Sequence, residues 1–150
     1  MEIDEGTMPV VKIRERLTEF EMRVPVWGLT VFTIDGYIIA HRLFYETMPE
    51  NIEMAISSMS AGLITISEDF IRMVDVEKGF KQVLVDSLSP NESPSFSILL
   101  RHIADNVMLT CIFPHTLQLG LVSSEIENLG NEILEIVNEW DVKLHSDTVT

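Results

Sequence analysis

The chain has 150 residues, with 10 Lys+Arg against 24 Asp+Glu, a formal charge of −14 at pH 7 and a pI near 4.5. Such a field repels phosphate backbones and anionic headgroups, which excludes general nucleic-acid binding, while 46% hydrophobic and 23% charged residues mark a folded chain rather than a disordered one. The start, Met1-Glu-Ile-Asp-Glu5, lacks the positive charge of a signal peptide, and no run approaches the roughly 18 apolar residues of a membrane span, so a cytoplasmic location is expected.

Thr7 and Pro9 open the first periodic segment, a hydroxyl able to cap and a proline tolerated in a first helical turn. Val10, Ile13, Leu17, Phe20 and Val24 follow at spacings of three and four, one helical stripe that Pro25 ends. From Val26 to Ile34 nearly every residue is apolar or Thr, the pattern of a strand covered on both faces. Asp35-Gly36 then leads into Tyr37 to Phe44, and Asp-Gly between apolar runs predicts a hairpin with a type I′ turn.

Thr47-Met-Pro-Glu50 reads as a capping box for a second helix that runs to about Val74. Its main stripe is Ile52, Ile56, Met59, Leu63, Ile66, Phe70 and Met73; beside it lies a second, Met54, Ala61, Ile64 and Ile71. Two apolar faces require two partners. One stripe is expected to pack on a sheet, and small residues near the other to let a neighbouring helix approach closely. Three strands are predicted next, Phe80 to Asp86, Phe96 to Ile103 and Val107 to Phe113, separated by turn-rich segments and forming an antiparallel meander. After Pro114 a long helix is predicted to about Trp140, with Leu119, Val122, Ile126, Leu129, Ile133 and Ile136 on its inner face. Glu125, Glu127, Glu132, Glu135, Glu139 and Asp141 meet no basic residue within that stretch and read as a solvated face. The expected organisation is a tail at 1–7, one domain at 8–140 and a polar tail at 141–150. It is an α+β fold in which five antiparallel strands carry the middle helix on one face and the terminal helices on the other.

Chemistry is sparse. Neither a G-x-x-x-x-G-K-[ST] loop nor a G-x-G-x-x-G turn is present, which argues against bound nucleotide. His41, His102, His115 and His145 show no i, i+4 ligand spacing, so no metal and no other cofactor is expected. His102 and Asp105 flank a tight turn, and His115 at a helix start reads as a cap or a solvated ring. Ser57, Ser58 and Ser60 lack the G-x-S-x-G elbow of a nucleophile. Cys111, the only cysteine, lies in an apolar run and reads as core. The eight methionines, among them Met54, Met59 and Met73, read as core filler or as an adaptable groove. No convergent polar set supports an enzyme.

Val24-Pro-Val-Trp-Gly28, running into Leu29-Thr-Val-Phe-Thr-Ile-Asp-Gly-Tyr-Ile-Ile-Ala40, resembles the helix end, first strand, Asp-Gly turn and second strand of the roadblock family of dynein light-chain and GTPase-regulator domains. Leu117-Gln-Leu-Gly-Leu-Val122 resembles that family's lead into its final helix; Gly28 and Gly120 match its usual glycines, while Gln118 stands where Asn is common. The resemblance covers about residues 8 to 137 and implies the profilin-like α-β-β-α-β-β-β-α order. It also implies a non-catalytic dimer, with itself or with a second roadblock-type chain, paired through the middle helix and the strand after it. The dimer residues it implies are Met54, Ser57, Ser58, Ala61, Ile64, Thr65, Glu68 and Ile71 with Phe80, Gln82, Val83 and Leu84. Its implied partner is a small Ras-like GTPase or a larger motor or signalling assembly. Two other readings stand beside it. A longin- or profilin-like trafficking adaptor would share the sheet, although a longin domain begins with its hairpin and this chain with a helix; a small-ligand sensor would need a cavity.

Overall fold

The computed structural model describes residues 8–43, 48, 52–91 and 94–148. Its elements are α1 (Met8–Arg23), β1 (Gly28–Thr33), β2 (Ile38–Leu43), α2 (Ile52–Val74), β3 (Gln82–Asp86), β4 (Phe96–Ala104), β5 (Val107–Pro114) and α3 (Leu119–Thr148). The five strands form one antiparallel sheet in the order β2-β1-β5-β4-β3, and the α-β-β-α-β-β-β-α order agrees with the sequence reading. Thr7 and, of the expected capping box, Thr47, Pro49 and Glu50 lie outside the described residues.

The alternation along the strands divides the core in two. On one face Ile13, Leu17 and Phe20 of α1 interleave with Val122, Ile126, Leu129 and Ile133 of α3 above Leu29, Val31, Leu109 and Cys111, all at most 2% exposed. Each large side chain in that layer contributes about 1.5–3 kcal/mol relative to exposure. On the other face α2 covers Phe32, Leu100 and Met108. Helices α1 and α3 are tied at the surface by Arg23 to Glu125 at 3.3 Å and Lys12 to Glu139 at 3.6 Å, and Arg101 of β4 reaches Glu127 at 3.5 Å. Three acids of α3 expected to be only solvated therefore meet bases delivered from elsewhere in the chain.

Two local expectations change. The hairpin closes with Gly36 N–H to Thr33 C=O and Thr33 N–H to Tyr37 C=O, both 2.8 Å, a three-residue loop rather than a two-residue type I′ turn. Gly36 supplies the left-handed residue, φ 92°, that such a loop requires. Helix α3 continues to Thr148, past the end expected at Trp140, because polar composition in 141–148 contains neither Pro nor Gly to stop it. At the start of β1, a Cβ on Gly28 would meet Leu43 Cδ2 at 2.6 Å, so a side chain there would have to move the end of Leu43 aside.

Candidate interaction surface

Helix α2 sits on the sheet by its small residues, which decides between its two stripes. Ser57, Ser60, Ala61 and Ile64 are buried, and Ile64, at 0% exposure, packs in the cluster of Phe32, Leu100 and Met108. The reason is on the strands. Thr30 and Thr110 are buried hydroxyls within largely apolar runs, and a buried hydroxyl needs a partner. Thr110 Oγ1 finds it in Ser60 Oγ at 3.2 Å, which only a small residue on the inner face of α2 could place there.

The large side chains of the main stripe consequently point outward. Met59, Ile66, Phe70 and Met73 are 75%, 67%, 70% and 86% exposed, spaced so that they line one side of α2; Ile56 and Leu63 are half-buried on its flank. No ionisable residue occurs between Met54 and Ser67. A long apolar helix face, bordered by Asp69 in its later half, has on a chain of charge −14 the composition of an interface core, where charged residues are depleted.

The neighbouring sheet edge has the same character. After α2 an Asx turn, Glu77 N–H to Asp75 Oδ1 at 3.1 Å, leads the chain into β3, which among the described residues pairs with β4 alone and forms the edge of the sheet. Only Val83 is half-buried along β3; Leu84 and Val85 are exposed. Such an edge is a template for a further strand.

The twelve residues that the resemblance assigns to pairing divide accordingly. Ser57, Ala61, Ile64 and Phe80 are enclosed by the chain's own core and have almost no surface left to offer a second chain. Glu68, Ile71 and Val83 are half-buried, and Met54, Ser58, Thr65, Gln82 and Leu84 are exposed. Met59, Ile66, Phe70 and Met73 are outward residues that the resemblance leaves out of the pairing set. The signal for their orientation was Thr110, whose buried hydroxyl meets Ser60 rather than a methionine.

The remaining polar candidates form no reactive site. No hydrogen bond or ion pair joins His102 to Asp105. His115 is neither a cap nor solely solvated: its Nε2 lies 2.9 Å from Ser97 Oγ, and Ser97 in turn donates to Asp86 Oδ1. The Ser97 proton is directed at a carboxylate rather than the imidazole, and Ser97 is 3% exposed, so it is not a nucleophile open to substrate. Burial pushes the Cys111 thiol far up, which makes it an inert core group. Among the described residues no group of three or more His, Cys, Asp or Glu could hold a metal ion, and no helix is long and apolar enough to cross a membrane.

The fold places the chain in a structural class. No family profile and no curated protein matches it by sequence. Among solved structures it is similar to MglB of Myxococcus xanthus, with TM-score 0.74 and 16% identity over 93% of this chain and 95% of that one. An MglB with tetrameric arrangement gives TM-score 0.74 at 14% identity, covering 89% and 93%. A Roadblock/LC7 domain from Streptomyces avermitilis gives 0.63 at 14%, covering 88% and 97%. The chain is a roadblock-type domain in fold.

Proposed function

We propose that the chain is a non-catalytic, self-pairing roadblock-type platform that binds a small Ras-like GTPase or a larger signalling or motor assembly. The observation that carries the reading is the continuous surface made by the outer stripe of α2 and the open edge of β3. Helix faces of two copies meet over Met59, Ile66, Phe70 and Met73, and the β3 edges extend one sheet into the next. That arrangement keeps the helix and strand of the roadblock resemblance and exchanges its buried helix residues for exposed ones. The tetrameric arrangement of a structurally similar MglB supports assembly of this fold into oligomers.

The GTPase role rests on the resemblance and on charge. A protein of charge −14 attracts a basic patch and associates with it faster at low salt. It acts on a switch only through differential affinity for the switch's two states. Binding measurements with a panel of Ras-like GTPases, each in its GDP- and GTP-bound form at low salt, test this. The expected result is saturable binding that favours one nucleotide state and weakens as salt rises; no binding in any state overturns the GTPase role while leaving self-pairing intact.

A further inference from the structure

On the side of the sheet away from α2, a cavity of about 440 Å³ opens between the start of α1, the later turns of α3 and one end of the sheet. Its walls are apolar: Ile13 from α1, Ile39 and Val107 from the strands, and Leu134 and Val137 from α3. Protein interiors leave few voids larger than a water molecule, and apolar walls give water too few partners to hold it well. A space of this size falls within the roughly 300–1,000 Å³ of sites that take small organic molecules.

The polar groups at its mouth select the occupant. Asp105 and Asn106 come from the β4–β5 turn, and Asn138 with Trp140 from α3. The Asn106 carbonyl Oδ1 already accepts the Ile34 N–H at 3.2 Å. Asp105 is different. It is the one ionisable residue among the described lining residues, and its carboxylate forms no ion pair or hydrogen bond with the described residues. The nearby base on α1, Lys12, is engaged with Glu139. A carboxylate and an indole lining the same apolar cavity favour an ammonium group, which pairs with the first and is attracted to the face of the second. An anion would meet only repulsion.

We propose that this cavity binds a small organic amine, its hydrocarbon body between α1 and α3 and its ammonium beside Asp105 and Trp140. The site is independent of the pairing face on α2. The test is an amide NMR titration of the full chain with hexylamine, 1-hexanol and hexanoate, three probes that share a body and differ in head charge. Hexylamine is expected to saturate, shifting residues of α1, the 104–107 turn and α3. 1-Hexanol should bind about tenfold more weakly, and hexanoate should not bind.

Asp105→Asn, a change in an exposed turn, should weaken hexylamine about tenfold and leave 1-hexanol unchanged. Leu134→Trp, which fills the space, should abolish both; if that variant does not fold, Asp105→Asn alone decides. Equal binding of all three probes, amine shifts spread over the acidic surface rather than gathered at the cavity, or no saturation by hexylamine would each overturn the proposal.

Discussion

Truncating one side chain on each side of α2 separates its inner face from its outer one. Ile64 is fully enclosed by Phe32, Leu100 and Met108, so Ile64→Ala leaves a cavity as well as losing transfer free energy. The expected cost is about 2–5 kcal/mol. Phe70 is 70% exposed, so less than a third of its side chain leaves water within one chain, and Phe70→Ala should cost under about 1 kcal/mol. Self-association adds stability by mass action, and the two effects are told apart by concentration. Urea unfolding followed by circular dichroism, repeated across a hundredfold dilution, is the assay. Ile64→Ala should lower the midpoint at every concentration. The wild type should lose stability on dilution, and Phe70→Ala should remove that concentration dependence while matching the wild type at the lowest concentration. A Phe70→Ala loss at high dilution as large as that of Ile64→Ala would refute the assigned orientation of the helix.

Other perturbations test the fold and its charges. Gly36→Ala places a Cβ at φ 92° and should destabilise by about 1–3 kcal/mol in thermal unfolding, with the native circular dichroism spectrum retained. Arg101 is nearly buried and donates to Gln82 Oε1 at 3.1 Å; Arg101→Met should cost about 1–3 kcal/mol, whereas Glu127→Gln, at its exposed partner, should change urea stability by less than about 0.5 kcal/mol. The folded Cys111 thiol ionises far above the unfolded one, near about 8.5. Above that pH the unfolded state binds fewer protons than the native state, so stability falls as pH rises. Cys111→Val should reduce the fall between pH 8 and 10, and Ellman's reagent should react with the wild type only on unfolding. Pairing of two copies that each carry −14 should strengthen with added salt, opposite to GTPase binding, as read by sedimentation at two ionic strengths.

Element type and order were legible because helical spacing and strand alternation report local geometry and burial together. The α1 stripe from Ile13 to Phe20 and the α3 stripe from Val122 to Ile133 face one core, and each helix has a single apolar side to offer. Helix α2 was different. It is apolar all round, and periodicity cannot say which side meets the sheet when both sides qualify. The choice shows at Thr110, a residue distant in sequence whose buried hydroxyl meets Ser60 on the inner side of α2 while Phe70 faces out. Long-range charge pairs escaped for the same reason: Arg23, Lys12 and Arg101 come from elements that composition within α3 does not reveal. Of the two glycines carrying the roadblock resemblance, a Cβ at Gly28 would press on the end of the Leu43 side chain, while a Cβ at Gly120 would meet open space. The cavity near Asp105 is formed by four separate stretches of chain and has no signature in any one of them.

The central claim is that the outer stripe of α2 joins two chains. Light scattering of the native chain and of the Ile66→Asp/Phe70→Asp double variant, with circular dichroism to confirm folding, tests it most directly. The account expects a native dimer and a folded monomeric variant, since each substitution sets a charge on an exposed apolar face and removes nothing from the core. A native chain that remains monomeric at high concentration, or a folded double variant that keeps the native mass, would contradict it.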